Sequence, residues 1–211
     1  MPVNEKQTSG EVLQQRVQYQ KGGVGRLYWD YRDRVTLSFL EERDQSILDL
    51  GCGEGITLER MRERMPKRNI IGIDCMRENI NICLRHGLPA RIGNVYDLEM
   101  DDESIDAVLL MEVIEHLEKP HLALEQIRRI LRPRGKVIIV FPNDRIFKIA
   151  RVSTLKFREA SYDPGHVKQW THLEIENLLL QHGFSVVHRK SIPFFLWPIS
   201  LHGVTTARKI S

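Results

Sequence analysis

The chain has 211 residues, 42% of them hydrophobic and 28% charged, which is typical of a soluble globular protein with one substantial core. No apolar run reaches the ~18 residues of a membrane span, and the polar segment 1–10 lacks the apolar stretch of a signal peptide, so we expect a cytoplasmic protein. The formal net charge of +3 is too small to argue for nucleic-acid binding by itself. Three cysteines without Cys-x-x-Cys spacing favour free thiols over disulfides or a zinc cluster.

Two helical patterns open the chain, at 10–20 and 25–42, and short apolar runs then alternate with further helical patterns. The predicted strands are 46–50, 70–73, 90–92, 105–111, 136–141, 184–191 and a weaker one at 203–209. The predicted helices between them are 56–65, 77–86, 119–131 and 171–182, the last beginning with a Thr171–Glu174 capping box. A turn is expected at 132–135, before the fifth strand. This alternation is typical of a parallel sheet with helices on both faces.

The first strand runs directly into a glycine turn, since the segment 49–55 reads Asp-Leu-Gly-Cys-Gly-Glu-Gly. Glycines at alternate positions allow the backbone to turn tightly and to approach a ligand without a Cβ in the way. Asp49 lies at the end of the strand, where open α/β sheets bind ligands. The spacing differs from the glycine patterns of dinucleotide-binding folds and of phosphate loops. At Cys52, any small apolar side chain would suffice.

A second acid, Asp74, ends the next strand, where nucleotide-binding α/β folds hydrogen-bond the ribose hydroxyls. The glycine turn and Asp74 together resemble the class I S-adenosylmethionine-dependent methyltransferases. The resemblance covers about 46–192 and implies S-adenosylmethionine as cofactor. It also implies a Rossmann-like, doubly wound α/β fold with a seven-stranded, mostly parallel sheet whose last strand is antiparallel. The cofactor-binding residues it implies are Asp49, Gly51, Cys52, Gly53, Gly55, Asp74, Cys75, Asn94, Val95, Met111 and Glu112.

Asn94 is a departure from that family's pattern, because an acid usually follows the third strand and accepts the adenine amino group. The carbonyl oxygen of Asn94 can accept the same hydrogen bond without a charge. Val95 and Tyr96 would supply a backbone amide and a ring edge. An Asx-turn at the end of the strand is the alternative interpretation.

The fourth strand runs into Met111-Glu112-Val113-Ile114-Glu115-His116, beside the methionine part of the cofactor in the resembled family. If this segment is helical, Glu112, Glu115 and His116 share one face. Together with the later segment 165–170, Gly-His-Val-Lys-Gln-Trp, it resembles two branches of the superfamily. One is the ubiquinone-biosynthesis-type O-methyltransferases. The other is the small-RNA 2′-O-methyltransferases, in which two Glu and two His hold a divalent metal.

The metal ligands implied by the second branch are Glu112, Glu115, His116 and His166, but we favour a metal-free site. Catalysis then falls to His166 or His116 as general base, since neutral imidazole accepts protons near pH 7, with Glu112 as an orienting group. The structural alternative is that Glu112 caps backbone amides, that Glu115 and His116 begin a solvated helix, and that His166 is a structural histidine.

The segment 144–165 interleaves apolar and basic residues, a pattern that can cover a core, clamp a substrate or rest on a membrane surface. With the aromatic segment 192–198, it favours an apolar or amphiphilic methyl acceptor and allows peripheral membrane contact. We therefore divide the chain into an N-terminal helical cap (1–45) and a methyltransferase domain (46–211), with 144–165 as a substrate lid.

The predicted activity is O-methylation of a small-molecule hydroxyl. An RNA 2′-O-methyltransferase is the first alternative, and nucleic acid is the less favoured partner because basic residues alternate with acids, as in 59–64. A non-catalytic subunit with the same fold is the second alternative, although it would be expected to lose Gly53 or the acids at the strand ends.

Overall fold

The computed structural model describes residues 15–143, 146 and 167–210. The helices are α1 (Gln15–Gln20), α2 (Gly23–Leu37), α3 (Ile56–Arg64), α4 (Arg77–Arg85), α5 (Pro120–Ile130) and α6 (His172–Gln181). The strands are β1 (Ser46–Leu50), β2 (Asn69–Asp74), β3 (Ala90–Ile92), β4 (Ile105–Met111), β5 (Leu131–Pro142), β6 (Phe184–Ile192) and β7 (His202–Lys209). Short 3₁₀ turns lie at Ile114–His116 and Trp197–Ile199.

The seven strands form one sheet in the order β3-β2-β1-β4-β5-β7-β6. The first five strands are mutually parallel, and β7 is antiparallel to both of its neighbours. This confirms the expected seven-stranded, mostly parallel sheet with an antiparallel last strand. The strand order reverses between β1 and β4, and open α/β sheets bind ligands outside the carboxyl ends of the strands at such a point.

Alternate residues of the central strands belong to two hydrophobic clusters, one on each face of the sheet. Leu48 and Leu50 of β1 pack with side chains from α5 and α6, whereas Ile47 packs with side chains from α2, α3 and α4. All five residues of β1 are buried, which explains why this strand reads as a continuous apolar run with a single acid. The sheet is therefore covered on both faces, as predicted for a doubly wound fold.

Two predicted boundaries were wrong. The turn expected at 132–135 lies inside β5. The register of the β4–β5 pairing shifts between the pairs Ile105–Leu131 and Ala107–Lys136, so β5 has extra residues at this point. Arg134, one of these residues, has φ +63°. Helix α2 ends at Leu37 instead of residue 42. The Thr171–Glu174 capping box of α6 is confirmed.

Within the described residues, no helix is both long enough and apolar enough to span a bilayer. The proposed lid, 144–165, falls outside the described residues except for Ile146, and the division into cap and domain stays a prediction.

Candidate functional site

The glycine turn between β1 and α3 adopts backbone conformations that few other residues tolerate. Gly51, Gly53 and Gly55 have φ angles of +80°, +53° and +79°. The amides of Gly51 and Cys52 both donate to the carbonyl of Ile73, at 2.7 and 3.1 Å, which fixes the turn to the end of β2. A Cβ at Gly51 would collide with Val113 across the turn. The predicted need for glycine here is therefore confirmed by the geometry.

Asp74 at the end of β2 is held by three hydrogen bonds. Its Oδ2 accepts the Gly53 amide at 2.9 Å, and its Oδ1 accepts the Met76 amide at 2.8 Å and the Asn79 side-chain amide at 3.1 Å. A carboxylate has about four acceptor positions, so Oδ2 retains capacity for a ligand hydroxyl. No pattern in the sequence indicated that Asp74 also shapes the glycine turn.

Asp49 has a buried carboxylate oxygen that lacks a partner. The residue is 2% exposed, and its Oδ2 has no hydrogen bond within the part of the chain that the structure describes. Burial raises the pKa of Asp49 to about 7, with further upward contributions from Asp33 and Asp74 that Arg32 partly offsets. Buried polar atoms are normally satisfied. This oxygen therefore fits a ligand group that brings a donor or a positive charge.

The other predicted cofactor residues have differing environments. Asn94 is exposed, and its Oδ1 accepts the Tyr96 amide at 3.0 Å, so it forms the Asx-turn. Because Oδ1 keeps a second lone pair, the adenine contact stays a prediction. Cys52 and Met111 are buried in the core cluster that also contains Ile47, Val95 is half-buried, and Cys75 is exposed.

Glu112, Glu115 and His116 do not share a helix face, because the segment 112–116 is not a regular helix. Only 114–116 form a 3₁₀ turn, and Glu112 precedes it with φ +54°, a left-handed conformation that ends any regular helix. Glu115 is 1% exposed, whereas His116 points into solvent. Across the described residues, no group of three or more His, Cys, Asp or Glu side chains is placed to hold a metal. His166 lies outside those residues.

Residues 167–170, the described part of the second motif segment, contact the first motif segment. The amides of Val167 and Lys168 donate to the Glu115 carbonyl at 2.8 and 3.2 Å, and the Trp170 indole donates to the Ile114 carbonyl at 3.2 Å. These bonds fix the chain that follows His166 against the end of β4. The catalytic role of His166 stays a prediction.

Glu112 pairs with two groups that the sequence analysis missed. Its Oε1 contacts the Arg32 guanidinium of α2 and lies 2.9 Å from His202 Nε2 at the start of β7. Burial acts to raise the pKa of Glu112, but Arg32 and His202 more than offset this and hold it well below its usual range. Tyr28 of α2 completes the group, with its hydroxyl 2.6 Å from His202 Nδ1. No local sequence pattern connects residues so far apart.

Asp33 joins α2 to α3 beside this group. It is fully buried and accepts hydrogen bonds from Arg32 at 3.0 and 2.9 Å, from Thr57 at 2.9 Å, and from Arg60. Burial acts to lower the pKa of Arg32, but Glu112 and Asp33 together raise it above its ordinary value. Arg32 is therefore a permanent cation among the acids at the carboxyl edge of the sheet.

Helix α1 lies over the glycine turn. The buried Glu54 carboxylate accepts the amides of Gln15 and Arg16 at 3.0 and 2.7 Å, and Arg16 Nε donates to the Glu54 carbonyl at 2.8 Å. A Cβ at Gly53 would lie 2.8 Å from Gln15 Oε1. This part of the predicted cap therefore covers the outer side of the turn.

The chain resembles known proteins across most of its length. Residues 25–189 match the model of a family described as a methyltransferase domain. A probable S-adenosylmethionine-dependent methyltransferase of Mycolicibacterium smegmatis is 29% identical over 163 residues, which are 75% of this chain and 60% of that protein. A ubiquinone biosynthesis O-methyltransferase of Hahella chejuensis is 31% identical over 110 residues, which are 47% and 45% of the two chains.

Among solved structures, a SAM-dependent methyltransferase from Archaeoglobus fulgidus has the same fold. Its TM-score is 0.71 at 17% identity, with 93% of this chain and 100% of that chain covered. At this identity the likeness shows the fold alone. The chain spans less than two thirds of the length of the two curated relatives.

Proposed function

Because this chain belongs to the S-adenosylmethionine-dependent methyltransferase family, we propose that it transfers a methyl group from S-adenosylmethionine to a hydroxyl of a small molecule. The observation that carries the cofactor part is the glycine turn beside the buried Oδ2 of Asp49, which has no hydrogen-bond partner among the described residues. The 31% identity to a ubiquinone biosynthesis O-methyltransferase supports oxygen as the acceptor atom.

The residues at the switch point fit the proposed cofactor. The turn 51–55 allows the backbone to approach it closely, Asp74 keeps capacity for a ribose hydroxyl, and Asp49 can accept a donor from a positively charged group. When bound, S-adenosylmethionine supplies a methyl group already activated by a sulfonium. The remaining task of the protein is to hold the acceptor oxygen in line with that methyl group and to remove the proton.

The end of β4 is where we place the acceptor. Glu112 adjoins this end, and Arg32 and His202 hold its carboxylate. His166 and His116 stay predicted candidates for the base that removes this proton, and the groups around Glu112 supply a further candidate. Proton removal does not require a metal, since a base alone can take the proton of an aligned hydroxyl.

Two measurements test this proposal in sequence. Calorimetry with S-adenosylmethionine and S-adenosylhomocysteine should show that the protein binds both. If the folded protein gives no heat of binding with the first ligand and none with the second, the cofactor assignment is refuted. A panel of phenols, catechols and aliphatic alcohols, matched with amines of similar shape, is then incubated with methyl-d3 S-adenosylmethionine. Mass spectrometry should locate the label on oxygen, and label only on nitrogen or carbon would refute the hydroxyl assignment.

A further inference from the structure

Tyr28, His202 and Glu112 form a continuous chain of hydrogen-bonding groups. The Tyr28 hydroxyl lies 2.6 Å from His202 Nδ1, and His202 Nε2 lies 2.9 Å from Glu112 Oε1. The rings of Tyr28 and His202 also stack, with centroids 5.6 Å apart and planes inclined by 24°. Both ring nitrogens of His202 are therefore engaged, one by a phenol and the other by a carboxylate.

This chain of groups lies at the carboxyl edge of the sheet, next to the glycine turn. Glu112 directly follows β4, and its amide donates to the Val140 carbonyl at 2.8 Å. His202 pairs with Pro142 at the end of β5. His202 is 3% exposed, whereas Tyr28 is half-buried. Glu112 is also partly exposed, so a molecule from solvent can reach the group beside Tyr28 and Glu112.

The hydrogen-bond partners of the His202 imidazole favour one placement of its ring hydrogen. Burial raises the pKa of Tyr28 above its ordinary value, and Glu112 and Tyr31 add to this against the opposing effect of Arg32. The phenol is thus protonated near neutral pH and can donate to Nδ1. The Glu112 carboxylate can only accept, so Nε2 carries the ring N–H and donates to it, which leaves Nδ1 to accept from the phenol.

We propose that Tyr28 receives the proton of the acceptor hydroxyl while it passes its own proton to His202, with Glu112 stabilising the resulting imidazolium. The acceptor oxygen bonds to the methyl carbon as the carbon–sulfur bond breaks, and that electron pair stays with sulfur. The acceptor proton moves to the Tyr28 oxygen, the Tyr28 proton moves to Nδ1, and the imidazolium later returns one proton to solvent through Tyr28. Tyr28 is then a catalytic residue, and His202 and Glu112 are positioning residues.

The arrangement follows the general logic of a base oriented by a third group. A phenol oxygen can accept one hydrogen bond while it donates another, so Tyr28 can bind an acceptor hydroxyl without first becoming a phenolate. His116 has a weaker claim on this role, because it lies exposed in the 3₁₀ turn. The inference rests on the proposed function, since only a hydroxyl acceptor requires this proton transfer.

The first test needs no acceptor. Long-range ¹H–¹⁵N NMR spectra of the S-adenosylhomocysteine complex near neutral pH should show His202 with hydrogen on Nε2 and an unprotonated Nδ1. Tyr28→Phe should shift the Nδ1 resonance, whereas Tyr31→Phe, which changes a neighbouring ring, should not. Hydrogen on Nδ1 in the resting enzyme would overturn the proposal.

The second test measures single-turnover methyl transfer to a hydroxyl compound that the wild type methylates. Tyr28→Phe and His202→Gln should each lower the rate about 100-fold, the lower end of the usual range for acid–base catalysis. Both variants should bind S-adenosylhomocysteine with the affinity of the wild type. The control variant Tyr31→Phe should transfer the methyl group at the wild-type rate. A Tyr28→Phe rate within about threefold of the wild type would overturn the proposal.

Failure of the proposed function is a distinct outcome. If the wild type methylates only nitrogen or carbon, the hydroxyl assignment and the role of Tyr28 both fall. If the wild type methylates hydroxyls and the Tyr28 variant does so equally well, only the role of Tyr28 falls. Circular dichroism checks the fold of His202→Gln, and the isosteric Tyr28→Phe decides the matter if that variant unfolds.

Discussion

Replacing Asp49 by Asn should flatten the dependence of stability on pH in the ligand-free protein. The Asp49 pKa is raised to about 7 in the folded protein, whereas its ordinary value is 3.8. Between about pH 4 and pH 7 the folded protein therefore holds a proton that the unfolded chain has released. The stability contributed by this proton is lost as pH rises through that window and is gone above the folded pKa.

The size of the effect follows from the difference between the two pKa values. At 1.36 kcal/mol per pH unit, a pKa raised from 3.8 to about 7 corresponds to about 4 kcal/mol of stability lost across the window. Asp49→Asn removes this contribution, because an amide does not titrate. The amide also buries a donor that lacks a partner, at a cost of about 1–3 kcal/mol. That cost does not vary with pH, so it shifts the curve without changing its slope.

The assay is urea unfolding of wild type and Asp49→Asn at half-unit steps from pH 5 to pH 8. The difference in unfolding free energy between the two proteins should change by more than 1 kcal/mol between pH 5 and pH 7 and level off above about pH 7. Leu48→Val, a core change in the preceding residue without a titrating group, is the control and should give a constant difference. A constant difference for Asp49→Asn would refute the raised pKa.

Three further predictions concern the same edge of the sheet. Asp74→Ala should weaken S-adenosylhomocysteine binding by about 1–3 kcal/mol in calorimetry, because ribose hydroxyls lose an acceptor and the turn loses its anchor; unchanged affinity would contradict the ribose role. Gly53→Val should abolish binding with an unchanged circular dichroism spectrum, whereas Gly25→Ala, where φ is not positive and a Cβ meets nothing within 4 Å, should bind normally. Asp33→Ala should lower the unfolding free energy in urea by about 3 kcal/mol, since two guanidinium groups lose a buried partner. Asp30→Ala, at a partly exposed carboxylate, should lower it by less than about 1 kcal/mol. Equal losses for the two variants would refute this prediction.

The site was predictable where it depends on local chain geometry. The glycine turn is readable because positive φ angles at alternate positions can be met cheaply only by glycine. Asp74 is readable because it ends an apolar run whose place in the βαβ unit is known. The segments 112–116 and 165–170 were chosen by resemblance, and bonds from Trp170 and Val167 connect the described part of the second segment to the first.

The sequence alone determined the order and type of the strands and helices, because periodic burial leaves a pattern in neighbouring residues. It also determined where the glycine turn lies. The partners of Glu112 depended on tertiary structure, since Arg32 and His202 are 80 and 90 residues away along the chain. His202 reaches this carboxylate because β7 lies beside β5, the neighbour of β4, and Arg32 reaches it from α2. The shared helix face that Glu112, Glu115 and His116 would have in a helical segment is absent, and Glu112 takes φ +54° where its carboxylate pairs with groups from α2 and β7. Long-range ion pairs leave no periodic trace in the sequence, so only the folded chain could reveal them.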